Sequence, residues 1–186
     1  MVAPTGTSAF TSTESALSER INCTLLEEVL LEPEFREFSL GKNYSVNEIY
    51  ESRIATNKGG DDSLTNPDFG VISYRNKIVG LGDNKYQKTS QNACERVALY
   101  TMDALRLGLD PKRVLVVFDG PGFEPWDEDG RHVANATGKM LVRVQGINTC
   151  LSCPRSEDEV RSFFREYLRM IIREENQTGQ LLLEAV

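Results

Sequence analysis

Asp68, Asp83 and Lys85 are the residue types that together can hydrolyse a phosphodiester. That reaction needs negative charge neutralised in a phosphorane-like transition state, a water made nucleophilic near neutral pH, and a stabilised leaving oxygen. A hard Mg2+ held by a few carboxylate oxygens, with waters completing its shell, supplies much of this. Lys85 stands two residues after Asp83, so on a strand their side chains share one face while Asn84 turns to the other. In this reading Asp68 and Asp83 are metal ligands, the backbone carbonyl of Asn84 adds a further ligand, and Lys85 positions or polarises the attacking water. The pattern is short, and Asn66-Pro67-Asp68 also reads as an ordinary turn.

The flanking residues supply elements that can bring the three together. Phe69 to Tyr74 and Lys77 to Asp83 are runs rich in β-forming residues, separated by Arg75-Asn76 as a two-residue hairpin turn. An antiparallel hairpin sets the start of its first strand beside the end of its second. That geometry predicts Asp68 next to Asp83.

The continuation carries a resemblance. Pro67-Asp68-Phe69, then Gly82-Asp83-Asn84-Lys85, then Asn92-Ala93-Cys94-Glu95-Arg96 resembles the PD-(D/E)xK nucleases, specifically type II restriction endonucleases of the EcoRI and MunI type. The likeness spans about residues 67 to 122, including the following helix and the strand that ends in Asp119-Gly120. It implies a restriction-endonuclease-like α/β fold, a mixed central sheet flanked by helices, and Asp68, Asp83 and Lys85 as the catalytic set. It also implies a loop entering the major groove, where Asn92, Ala93 and Arg96 read bases and Glu95 holds the arginine. Gln91 and Lys88 belong to the same DNA-binding segment. The resemblance also implies an inner AATT in the target, which agrees with the chemistry, since Asn pairs bidentately with adenine, Ala touches a thymine methyl and Arg donates to purine acceptors. The chain departs from the family pattern at Asp83, where relatives carry Glu, and at Gln91, where a Gly usually precedes the Asn.

A chain of 186 residues, 40% hydrophobic and 26% charged, suits one soluble domain with a real core. The expected organisation is a loose arm over residues 1–13 and a single nuclease domain over 14–186. No apolar run approaches a membrane span, and the N-terminus lacks a signal-peptide pattern, so a cytoplasmic location is expected. The net charge of -7 argues against a nonspecific nucleic-acid binder. The charge is segregated, however: Arg75, Lys77, Lys85, Lys88 and Arg96 outnumber Asp83 and Glu95 in the proposed DNA-binding stretch. Cys150-x-x-Cys153 reads as reduced thiols, because a zinc site would have to recruit Cys23 or Cys94 from afar or His132, the only histidine.

Elsewhere the helical spacing of Leu17, Ile21, Leu25 and Val29 predicts a helix over 14–31, ended by Pro33. A second helix is expected over 46–55, carrying Glu48 and Glu51, then a polar loop over 57–66, a helix from about Asn92 to Leu107, and a buried strand over 114–118. Lys139 to Gln145 alternates as a further strand. The last helix starts from a capping box, Ser156 with Glu159, and its apolar stripe runs through Val160, Phe163, Phe164, Tyr167, Leu168, Ile171 and Ile172. Arg161, Arg165, Arg169 and Arg173 form a ridge on another face. Such a ridge follows a phosphate backbone, contacts a second subunit, or pairs with nearby glutamates in solvent.

These features together describe a Mg2+-dependent type II restriction endonuclease cutting both strands of a short palindrome in duplex DNA. A two-fold target calls for a homodimer, and the host would need a cognate DNA methyltransferase. The rival is a non-catalytic double-stranded-RNA-binding module, read from helix, hairpin and helix over 46–107. Such modules work by shape and phosphate contact, and this stretch is short of the lysines they need.

Overall fold

The computed structural model of the chain describes residues 8–41, 68–86, 93–120, 148–151 and 156–184, with the backbone alone at 8–12, 93–98, 148–151 and 179–184. Its frame is a mixed five-stranded sheet in the order β1-β2-β3-β4-β5. The strands are β1 (Phe38–Gly41), β2 (Gly70–Tyr74), β3 (Lys77–Tyr86), β4 (Val114–Asp119) and β5 (Asn148–Leu151). β1, β2 and β3 are antiparallel neighbours, whereas β4 lies parallel to β3 and β5 parallel to β4. Three helices accompany the described strands, α1 (Ser8–Leu30), α2 (Ala93–Arg106) and α3 (Glu157–Glu184). The fold is therefore mixed α/β. Among the described residues no helix is long and apolar enough to cross a membrane.

The hairpin forms where the sequence predicts it. Arg75 and Asn76 both take positive φ, 50° and 63°, as a two-residue turn matching the strand twist requires. The strain of a left-handed arginine is offset by Glu37, whose carbonyl accepts from the Arg75 amide at 3.0 Å and whose carboxylate pairs with the guanidinium at 2.9 Å.

One irregularity sets which face each side chain occupies. Ile72 pairs with Gly80 but Ser73 pairs with Ile78, leaving Val79 as an extra residue in β3. Val79 then packs in the main core with Tyr167, while Ile78 and Leu81 pack on the other side with Val71 and Leu107. Past this bulge the alternation is regular. A Cβ at Gly82 would meet Phe69 and Ile72 in the main core, so Leu81, Asp83 and Lys85 share the opposite face, the one covered by α2. Gly80 is required for another reason: a side chain there would collide with the Tyr167 hydroxyl and come within 2.7 Å of the Arg113 carbonyl, which that hydroxyl donates to at 2.6 Å.

The main core lies between the sheet and the pair α1 and α3. Leu25, Leu26 and Val29 of α1 meet Phe164, Leu168 and Ile171 of α3 over Ile72, Leu115 and Val117. The capping box at the start of α3 is formed: Glu159 accepts from the Ser156 amide at 2.8 Å, and Ser156 Oγ accepts from the Glu159 amide at 3.3 Å. Gly108, at φ 72°, closes α2.

Several expectations need correction. α1 begins at Ser8 rather than Glu14, because no proline or glycine interrupts residues 8–13 and a nucleated helix propagates cheaply; that part of the chain is helix, not a loose arm. Leu17 and Ile21 do not face inward. They are 57% and 41% exposed, while Ser18 and Asn22 are buried. The short strands β1 and β5 carry no alternation long enough to read. The expected helix over 46–55 with Glu48 and Glu51, the loop over 57–66 and the strand over 139–145 lie outside the described residues, as do His132 and Cys153.

Candidate metal-dependent site

Asp68, Asp83 and Lys85 converge at the open end of the hairpin. The Asp68 amide donates to Asp83 Oδ1 at 2.8 Å, and the Phe69 amide donates to the Gly82 carbonyl at 2.9 Å, so the two strand ends are tied together. Lys85 Nζ lies 3.0 Å from Asp83 Oδ2 and 3.8 Å from Asp68 Oδ2. The Tyr100 ring of α2 lies beneath the ammonium, 5.9 Å from centroid to nitrogen. Asn84 turns to the other face, as period two requires, and is buried there.

The electrostatics are unbalanced. Asp83 is 1% exposed, and burial pushes its carboxyl up to about 7, with the Lys85 ammonium opposing and the Asp68 carboxylate adding to the rise. Asp83 Oδ2 is buried, with the Lys85 ammonium 3.0 Å away as its ion-pair partner. A buried oxygen of this kind, beside a second carboxylate and with one cation shared between them, is a position where a further positive charge is stabilising. The donor set is all oxygen, which suits Mg2+ rather than a softer metal. Among the described residues no group of three His, Cys, Asp or Glu side chains is arranged to enclose a metal, so waters and backbone would have to complete a shell begun by Asp68 and Asp83.

Sequence reasoning missed the contribution of α1. Glu19 is half-buried, and its carboxyl is raised by that burial and by the Asp68 carboxylate, with Lys85 opposing. The helix therefore brings a third carboxylate into electrostatic range of the site. Ser18 and Asn22, on either side of Glu19, hold Asn84, the residue between Asp83 and Lys85. Asp119, at the end of β4, joins them by accepting from Ser18 Oγ at 2.5 Å. The signal in the sequence was a pair of polar residues at i and i+4 interrupting an apolar stripe.

Of the proposed DNA-reading residues, Lys88, Gln91 and Asn92 lie outside the described residues. Ala93, Glu95 and Arg96 fall in the first turn of α2, their side chains not among those described. Three of the four arginines of the α3 ridge are engaged within the molecule. Arg161 pairs with Glu28 at 2.9 Å, Arg165 with Glu32 at 2.8 Å and Arg169 with Glu34 at 2.9 Å. These arginines tie α3 to α1 and to the turn after it.

Comparison with protein-family models, with curated proteins and with solved structures returned no match in any of the three.

Proposed function

We propose that this protein is a Mg2+-dependent type II restriction endonuclease with a restriction-endonuclease-like fold, cutting both strands of duplex DNA at a short palindrome containing AATT. The observation that carries the reading is the meeting of Asp68, Asp83 and Lys85 on one side of the hairpin end, where both carboxylates share one ammonium.

Asp68 and Asp83 would hold the cation, with the Asn84 carbonyl as a further ligand. Bound there, Mg2+ would offset charge on the phosphate and favour an ionised nucleophile. Lys85, held by both carboxylates, orients the water that attacks phosphorus. The bond formed is from water oxygen to phosphorus and the bond broken is from phosphorus to the 3' oxygen, leaving a 5' phosphate and a 3' hydroxyl. Asp83 works as an anion, so the burial that raises its carboxyl makes activity fall as pH drops below neutrality.

Asn92, Ala93 and Arg96, with Glu95, Gln91 and Lys88, would read the target from the segment that opens α2. A homodimer places one such segment and one cation site on each strand, and the host carries a protecting methyltransferase in the cytoplasm. The double-stranded-RNA-binding alternative has no comparable support, because the sheet continues past its 46–107 span into the parallel strands β4 and β5. Digestion of long duplex DNA with and without Mg2+, followed by sequencing of fragment ends, tests the proposal. Discrete Mg2+-dependent fragments ending at AATT-containing sites are expected; intact DNA with folded protein would count against it.

A further inference from the structure

Glu14, Ser18 and Asn22 recur every fourth residue of α1 and so line one side of it. That side meets the ends of β3 and β4. Tyr86 Oη donates to Glu14 at 3.2 Å, Asn22 Nδ2 donates to Asn84 Oδ1 at 2.9 Å, Asn84 Nδ2 donates to Ser18 Oγ at 3.1 Å, and Ser18 Oγ donates to Asp119 Oδ2 at 2.5 Å. Ser18, Asn22 and Asn84 are at most 5% exposed. Each polar end of the Asn84 amide is thus matched by a different residue of α1. Sliding the helix along the strand would leave buried donors and acceptors without partners, so the chain of bonds admits one register.

Asn84 is the residue whose backbone torsions set Asp83 and Lys85 relative to one another. The Gly82 carbonyl accepts from the Phe69 amide and so faces β2; two residues on, the amide and carbonyl of Asn84 face that same edge. β2, however, pairs with β3 only as far as Gly70 opposite Gly82. Among the described residues no strand lies beside the Asn84 peptide on that edge, and its side chain, held at both ends from α1, fixes it instead. Resting on the nuclease reading of the site, we propose that Ser18 and Asn22 are positioning residues for the reaction. From the far face of the sheet they grip Asn84, and through its torsions they hold the Asp83 and Lys85 side chains and the Asn84 carbonyl in their working directions. Neither residue touches DNA. Their weight comes from precision, because a reacting group misplaced by about 1 Å loses on the order of a hundredfold in rate.

The test is steady-state cleavage of plasmid DNA containing AATT by the full chain, with DNA and Mg2+ concentrations varied separately. Ser18→Ala and Asn22→Ala should each lower kcat about tenfold, the size of a change one step removed from the reacting groups, with KM for DNA and the circular dichroism spectrum unaltered. Val29→Ala opens a cavity in the same helix away from Asn84; it should lower the melting temperature yet keep the wild-type kcat. In an Asn84→Ala background, adding Asn22→Ala should cost no further rate, because the grip has nothing left to hold. Wild-type kcat in Ser18→Ala and Asn22→Ala, or an equal loss of kcat in Val29→Ala, would overturn the positioning role while leaving the nuclease reading intact. Absence of Mg2+-dependent cleavage by the folded wild-type chain would overturn that reading, and the role of Ser18 and Asn22 with it.

Discussion

Charged residues gather at both ends of β3, and the two gatherings differ in kind. At its start, Lys77, Lys112 and Arg113 meet Glu174 and Glu175 of α3: Lys112 pairs with Glu174 at 2.7 Å, Arg113 with Glu174 at 2.8 Å and Lys77 with Glu175 at 3.1 Å. Each carboxylate there meets two cations, Glu174 with Lys112 and Arg113, and Glu175 with Lys77 and Arg113. At the other end Asp68 and Asp83 share Lys85, and Glu19 brings more negative charge to the same place. A cluster whose charges balance holds elements together, whereas one left short of positive charge is prepared for a ligand that brings it.

Substitutions at the two ends should therefore part sharply. The largest effect is expected at the unbalanced end, where Lys85→Ala or Asp68→Ala should lower DNA cleavage by a hundredfold or more, on the order of 3 kcal/mol in the barrier, with little change in melting temperature. Lys112→Ala, at the balanced end, should leave the cleavage rate unchanged when both variants are assayed on the same plasmid.

The second contrast is in pH. Because the folded chain keeps a proton on Asp83 up to about 7, while an unfolded aspartate releases it near its ordinary value, the unfolded state binds fewer protons between about pH 4 and pH 7. Wild-type stability falls as pH rises through that window. Asp83→Asn removes the term, so the variant should gain stability relative to wild type as pH goes from 4 to 8, by at most about 4 kcal/mol. Thermal melts across the window check the sign, and saturating Mg2+ should shrink the difference by stabilising the ionised wild type. A variant that instead loses stability relative to wild type on raising the pH without metal would contradict the assignment of Asp83 as the strained group.

Gly80→Ala sharpens the comparison from the structural side. The added methyl would meet the Tyr167 hydroxyl and the Arg113 carbonyl, and the expected loss is about 1–3 kcal/mol in denaturant unfolding. The smallest effect is expected at the arginine ridge. Arg169→Ala removes a pair to Glu34 in which both side chains are more than two fifths exposed, so its cost in stability should be small and cleavage should be unaffected. A large loss of DNA binding there would show that the ridge follows phosphates after all.

What could be read in advance was whatever local pattern decides. The alternation and turn residues of Phe69 to Asp83 specify the hairpin and hence the meeting of Asp68 with Asp83, and the apolar stripe and capping box specify α3. Glu19, Ser18, Asn22 and Asp119 escaped because their role depends on where α1 lands on the strand. In isolation the helix offers Leu17 and Ile21 as its apolar face, yet these stay largely exposed. The buried places go to Ser18 and Asn22, because Asn84 and Asp119 at the strand ends need polar partners. β5 was missed for a related reason: Asn148 to Leu151 is too short to show a period, and its pairing with β4 is what makes it a strand.

The central claim is tested most directly by incubating plasmid DNA with the wild-type protein and with Lys85→Ala, each in Mg2+ and in excess chelator, and following strand breaks over time. The account predicts double-strand cleavage by the wild type in Mg2+, none in chelator, and cleavage by Lys85→Ala reduced at least about a hundredfold while both proteins remain folded. Equal cleavage by the two proteins, or cleavage that survives the chelator, would contradict it.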